Sequence, residues 1–141
     1  MSQQQQQQQQ TLKELDWKRI LSAAGPYPIE AFQFVREGLS YTAEKIYNEQ
    51  DGKGQDRHVS GQQLCMGLRD FAIERYGLLA PTVFSHWNVT RTDDFGRIVF
   101  AMIEEGLMSR TDEDSPQDFR AVYDFDEAFC RSELLARIGS Q

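Results

Sequence analysis

Between Ile29 and Glu49 apolar side chains return every three or four residues, at Ile29, Phe32, Val35, Leu39, Ala43 and Ile46. This is the longest periodic run in the chain, and it winds one apolar stripe along a single α-helix. A stripe of that length has to be covered, so the rest of the chain must supply partner elements.

Upstream, Thr11-Leu-Lys-Glu14 has the form of a capping box. It opens a short helix with Leu12, Leu15, Trp17, Ile20 and Leu21 on its apolar side, stopped by Gly25-Pro26 and Pro28. Downstream, Asp51 to Arg57 is a polar loop with two glycines that joins two halves. Ser60-Gly-Gln-Gln63 repeats the capping-box pattern ahead of Leu64, Leu68, Phe71, Ala72 and Tyr76, and Gly77 closes that helix. Pro81 suits the first turn of a short helix that turns Val83, Phe84 and Trp87 inward. After a turn at Asn88 and Val89, Thr92 is placed to N-cap a helix whose core side is Phe95, Ile98, Val99, Met102 and Ile103, ending at Glu105-Gly106-Leu107.

Past that point the apolar period changes toward two. Met108 to Thr111 and Phe119 to Phe125 read as the strands of a β-hairpin with an acidic tip over Asp112 to Asp118. Asp126 to Ile138 reads as a closing helix, with Phe129, Leu134, Leu135 and Ile138 available to dock. The expected fold class is therefore mainly α with a C-terminal β-hairpin. One domain spans residues 11–141, divided into N-terminal helices (11–50), a module over 60–125 and the closing helix (126–138). Residues 1–10, dominated by Gln3 to Gln10, offer nothing to bury and are expected to be a disordered tail.

The order helix, short helix, turn, helix, hairpin over residues 60–125 resembles a winged helix-turn-helix. The local echo is Ile98-Val-Phe-Ala-Met-Ile-Glu-Glu-Gly-Leu-Met-Ser-Arg110 with the returning Arg120-Ala-Val-Tyr123. These look like the end of the recognition helix and the wing of bacterial multiple-antibiotic-resistance-type regulators. The resemblance implies a helix bundle with a degenerate winged-helix-like second half. The stretches His58-Val-Ser-Gly-Gln-Gln-Leu64, Val83-Phe-Ser-His-Trp-Asn88 and Arg91-Thr-Asp-Asp-Phe-Gly-Arg-Ile-Val-Phe100 also resemble a group of uncharacterised small bacterial proteins associated with planctomycetes. That second resemblance covers nearly all of residues 29–129 and implies a family without an activity.

Charge argues against a DNA-binding use of this scaffold. The chain carries 15 basic and 22 acidic residues, a net charge of −7. Residues 60–125 hold six arginines and no lysine against eleven acids. A recognition helix presents its outer face to phosphates and base edges. With the core side set as above, that outer face is Asp93, Asp94, Arg97, Ala101 and Glu104, and Asp112, Glu113, Asp114 and Asp118 crowd the wing tip. Nucleic acid is thus possible on architecture and disfavoured on charge. An acidic face of this kind instead meets a basic protein partner, or simply keeps the chain soluble. Arg91 and Arg97 can grip a carboxylate or a phosphate, or pair with Asp93 and Asp94.

No catalytic or metal-binding pattern stands out, and the chain reads as a non-enzyme without a cofactor. His58 and His86 belong to no signature, and Cys65 and Cys130 are far apart without CxxC spacing, so both are read as reduced and mostly buried. Zinc lacks its paired ligands, the Asp112 to Asp118 stretch lacks the spacing of a calcium loop, and Gly52-Lys-Gly54 is not a phosphate cradle. No apolar run reaches bilayer length and no secretion signal is evident, so a cytoplasmic location without membrane contact is expected. Phe34, Tyr41 and Phe100 lie off the apolar stripes and are the expected exposed patch for a partner, a homodimer being the simplest. The partner-binding residues expected from sequence are Phe34, Tyr41, Arg91, Asp93, Asp94, Arg97, Phe100 and Glu104. The function they suggest is an interaction or regulatory module binding a protein partner, with a winged-helix transcription regulator as the alternative.

Overall fold

The computed structural model describes residues 25–49, 58–108 and 115–139, and these are mainly helical. We number the helices α1 (Ile29–Glu49), α2 (Gly61–Tyr76), α3 (Ala80–His86), α4 (Thr92–Glu104), α5 (Phe125–Ala128) and α6 (Arg131–Gly139). Two 3-10 turns, Gly77–Leu79 and Pro116–Phe119, lie between them. The helix expected within residues 11–24, the tail 1–10 and the loop at 51–57 fall outside the described residues.

Several boundaries follow directly from local chemistry. The Ser60 hydroxyl accepts from the Gln63 N–H at 3.1 Å while the Gln63 side chain accepts from the Ser60 N–H at 3.0 Å, a complete capping box opening α2. Pro81 sits in the first turn of α3. At the end of α4, Gly106 takes φ 77°. There the Leu107 N–H donates to the Met102 carbonyl at 2.9 Å and the Gly106 N–H to Ile103 at 3.0 Å, the paired bonds of a Schellman stop.

α1 packs along α2 in antiparallel sense: Phe34 stacks on Phe71 at 5.3 Å, Gly38 faces Leu68, and Thr42 faces Gly67. The helices approach so closely that a Cβ on Gly67 would land within the Thr42 side chain, whose hydroxyl donates to the Gly38 carbonyl at 2.7 Å. Phe34 is not part of an exposed patch. It is 2% exposed, and its ring also meets Phe84 (5.6 Å) and Trp87 (5.4 Å) from α3 and its C-terminal turn. α1 is thus covered by α2, by α4 and, around Phe34, by the α3 region, and its buried arc is wider than a single stripe.

The expected C-terminal hairpin is not found: no strand occurs among the described residues. Residues 109–114 lie outside that set, and the stretch expected to return as a strand is instead the 3-10 turn Pro116–Phe119, a turn with Ala121 at φ 47°, and the start of α5. The cause is Phe119, 4% exposed and wedged between two glycines. A Cβ on Gly61 would stand 2.9 Å from its ring, and one on Gly96 would stand 2.8 Å from its Cβ. Backbone groups here bond to Thr92 rather than to a neighbouring strand. A winged-helix-like second half therefore lacks its wing over the described part of that segment.

The closing helix is also broken in two. The Asp124 carboxylate accepts from the Asp126 N–H (2.8 Å) and Glu127 N–H (3.2 Å), capping the single turn α5, and α6 begins only after Phe129 and Cys130. Phe129 and Leu134 reach the core, whereas Leu135 and Ile138, expected to dock, are 47% and 39% exposed. The split turns Phe129 inward at the cost of the apolar side of α6, which points partly to solvent. No described helix is long and apolar enough to cross a membrane.

Candidate functional site

The start of α4 was expected to present acids outward. It is instead an internal junction. The helix is preceded by Arg91 in extended conformation, so Thr92 is its first helical residue rather than its N-cap. Thr92 is fully buried: its hydroxyl donates to the Phe119 carbonyl at 2.7 Å and accepts from the Val122 N–H at 3.1 Å.

Shifting the cap by one residue moves Asp94 to the third helical position, where a carboxylate reaches back to the orphan N–H groups. Asp94 Oδ2 accepts from the Thr90 N–H (2.8 Å), the Arg91 N–H (3.1 Å) and the Thr90 hydroxyl (3.3 Å), and Oδ1 accepts from the Tyr27 hydroxyl. Asp94 is 5% exposed and so cannot belong to a solvent-facing acidic surface. Burial, and then the neighbouring Asp94, push the Tyr27 phenol up to about 12. Ala101, also expected outside, is buried. Asp93 is half-buried and accepts from the Ala121 N–H at 3.3 Å.

Arg91, Arg97 and Glu104 are exposed as expected. Arg97 Nη1 lies 4.0 Å from Asp94 Oδ1. Tyr41 is half-buried against Phe71 at 5.1 Å, with its phenol pushed up to about 12 by burial and then by Glu74. Phe100 is half-buried, edge-on to Phe119 at 6.1 Å. Phe34 is buried beneath Phe71, Tyr41 packs half-buried on the same ring and Phe100 lies apart against Phe119, so the three do not form the single exposed aromatic patch expected from them. Among the described residues the large exposed apolar side chains are instead Leu78 and Leu79 on the Gly77–Leu79 turn, Leu135 and Ile138 on α6, and Met66.

Around this junction the surface is hollowed into three adjacent grooves that share lining residues. The first, about 460 Å³, lies between α3 and the α5 region; Phe84, Val89, Phe125 and Phe129 give it apolar walls, and Cys130 stands at its edge. The second, about 490 Å³, shares Thr90, Phe125 and Asp126 with the first and extends past Asp124 and Tyr123 to Arg91 and Arg120. The third, about 370 Å³, shares Asp93 and Arg120 with the second and passes over Gly96 and Phe100 beside Arg97. Together they make a trough that is apolar at one end, acidic in the middle and arginine-bearing at the other.

Its walls are fixed from within. Phe84 meets Phe95, Phe125 and Phe129 at 5.3 to 5.7 Å, and Tyr123 stacks on Phe125 at 5.8 Å. The Tyr123 hydroxyl donates to the Cys65 carbonyl at 3.0 Å, and burial pushes that phenol well above its ordinary value. Asn88, at φ 61°, donates from its side chain to the Pro26 carbonyl at 2.9 Å and ties the stretch before α1 to the end of α3.

The cysteines differ sharply. Cys65 is buried, and its thiol is pushed up to about 12 by burial and then by Asp93. Cys130 is exposed rather than buried as expected. Its carbonyl accepts from the Leu134 N–H at 3.0 Å at the head of α6. The Ser132 hydroxyl, then the Glu133 N–H, hold its thiol below the ordinary range. His86 is exposed and His58 half-buried. Among the described residues no group of three or more His, Cys, Asp or Glu side chains is placed to hold a metal ion. No family model, no curated protein and no solved structure matches the chain.

Proposed function

We propose that this chain is a protein-interaction module and that its partner lies in the trough between α3, the α5 region and the start of α4. The observation that carries this reading is the adjacency of the three grooves, which share Thr90, Phe125 and Asp126 on one side and Asp93 and Arg120 on the other. Extended concave surfaces with an apolar end and a few placed charges suit a peptide segment better than a compact metabolite. Among the described residues that line the three grooves there is no histidine to serve as a base beside Cys130 or Ser85, which favours binding over catalysis. Cytoplasmic residence, and membership of residues 29–129 in a planctomycete-type bacterial family, belong to the same proposal and bring no activity with them.

A transcription-regulator reading draws less support. Its reading helix would be α4, whose first turn is occupied internally by Thr92 and Asp94, and no wing strands are found among the described residues.

Site-specific photo-crosslinking in the cells that make the protein tests the proposal. A crosslinker placed at Ser85 or Thr90, on the trough, is expected to trap a discrete protein partner, and one at Gln33 or Glu44, exposed on α1, is not. Equal yields from both pairs of positions would refute it.

A further inference from the structure

We infer that the occupant of the trough is a segment of a partner protein in which a large apolar side chain stands next to a lysine or arginine. This rests on the trough being the partner face and adds the chemistry of what enters it.

The apolar end asks for a large side chain. Its floor is Phe84 and Phe129, 1% and 4% exposed, and its wall is the half-buried Phe125. At about 460 Å³ the groove has room for an aromatic or branched aliphatic anchor together with the backbone that carries it. Aromatic floors of this kind are where partner anchors concentrate binding energy.

The middle of the trough fixes the sign of the neighbouring residue. The Asp126 carboxylate is exposed, lines both of the first two grooves, and has no ion-pair partner among the described residues. Asp124 lines the second groove and accepts both of its backbone N–H groups at one oxygen, Oδ1. A cation beside the anchor therefore meets two carboxylates one step along the path. The net charge of −7 draws a basic segment toward this surface from a distance. Arg91 and Arg120 at the far end of the second groove limit the basic stretch to the neighbourhood of the anchor, because a continuing run of lysines would be repelled there.

Cys130 makes the inference testable on the folded, full-length chain. It is the exposed thiol and stands at the edge of the apolar groove, whereas Cys65 is buried, so a bulky maleimide marks the groove selectively. Random peptides about 12 residues long, displayed on phage, are selected on the immobilised chain and counter-selected on the same chain with Cys130 blocked. The enriched sequences are expected to place Trp, Phe, Leu or Met beside Lys or Arg. Synthetic versions are expected to lose affinity about tenfold on Asp126→Arg, and to weaken as salt is raised. An unchanged melting temperature in Asp126→Arg shows that its fold is intact.

Enrichment of acidic peptides, or affinity indifferent to Asp126→Arg, overturns the inference about sign while leaving the crosslinks at Ser85 and Thr90 standing. Peptides that bind equally well to the blocked chain overturn the inference about place. A concentration-dependent dimer that shields Cys130 in sedimentation and alkylation experiments assigns the trough to a second copy and also overturns it. Failure of the crosslinks themselves removes the underlying reading as well.

Discussion

The Thr92 hydroxyl and the Phe119 carbonyl are 2.7 Å apart although 27 residues separate them in sequence, and the same hydroxyl accepts from the Val122 N–H at 3.1 Å. This one buried side chain takes both a donor and an acceptor from a segment that has no ladder to satisfy them. Phe119 is held beside it between Gly61 and Gly96, so side-chain packing and backbone bonding fix the turn that carries Arg120 and leads to the trough wall.

Thr92→Val removes the hydroxyl and leaves the Phe119 carbonyl and Val122 N–H buried or half-buried without that partner. The expected loss is about 1–3 kcal/mol in urea unfolding, with Thr92→Ser retaining most of the stability. A Thr92→Val protein as stable as wild type would show that the bond matters little to how the segment is held.

The α1–α2 contact makes a second, independent prediction. Gly67→Ala places a methyl group in the Thr42 side chain and is expected to destabilise by about 1–3 kcal/mol. Adding Thr42→Ala should recover part of that loss, because the two positions touch and their effects do not add. Thermal and chemical denaturation of the two single variants and the double variant measure the coupling.

Much of this framework is legible in the chain itself, where the signals are local. Ser60 and Gln63 announce a cap because the two groups that satisfy each other are three residues apart, and Pro81 and Gly106 mark a helix start and stop for equally local reasons. The α1 stripe at Phe32 and Val35 is likewise read from spacing alone. What escapes is set by distant partners. Phe34 is buried because α3 covers a second side of α1. The alternating Phe119, Ala121, Tyr123 and Phe125 look like a strand, yet each is claimed by a different neighbour. Phe119 goes to the glycines of α2 and α4, Tyr123 to the Cys65 carbonyl and Phe125 to Phe84, with Ala121 turning the chain at positive φ. Asp94 was within reach of sequence reasoning: taking Arg91 as the cap places it where a carboxylate serves the helix start, whereas taking Thr92 as the cap turns it outward.

Alkaline pH should weaken the fold. The Tyr27 phenol rises from 10.0 to about 12 and the Cys65 thiol from 9.0 to about 12, so the native state holds both protons more tightly than the unfolded chain does. The stability linked to these groups is complete below pH 9 and drains away as pH climbs from about 9 to about 12, where the unfolded chain has released protons the native state still binds. Urea midpoints at pH 8, 10 and 11 are expected to fall in that order. Tyr27→Phe should begin from a lower stability, having lost a donor to Asp94, and fall less steeply above pH 10.

The two thiols should react as two populations. Cys130 is expected to alkylate rapidly in the native protein and Cys65 only on unfolding. Ser132→Ala removes the hydroxyl that favours the Cys130 thiolate and should slow its alkylation near neutral pH. Mass spectrometry of partly labelled protein distinguishes the sites, and equal rates at both would contradict the burial of Cys65.

Duplex DNA should be a poor ligand. With −7 overall and the first turn of α4 occupied internally, binding to mixed-sequence duplex at low salt is expected to stay in the weak, non-specific range of roughly 10⁻⁴ to 10⁻⁶ M. Arg97→Glu should change it by less than about twofold, since a single phosphate contact on a weak complex carries little. Tight, salt-sensitive binding abolished by that substitution would restore the regulator reading.

Alkylation of Cys130 in intact cells, compared with the purified chain, most directly asks whether a protein sits in the trough. Occupancy predicts that Cys130 is labelled markedly more slowly in cells than after purification, while an exposed reference residue outside the trough, such as Ser40→Cys, is labelled at the same rate in both settings. Cys130 labelling in cells as fast as in the isolated protein, with the reference behaving normally, would mean that nothing occupies this surface and would contradict its assignment as the partner face.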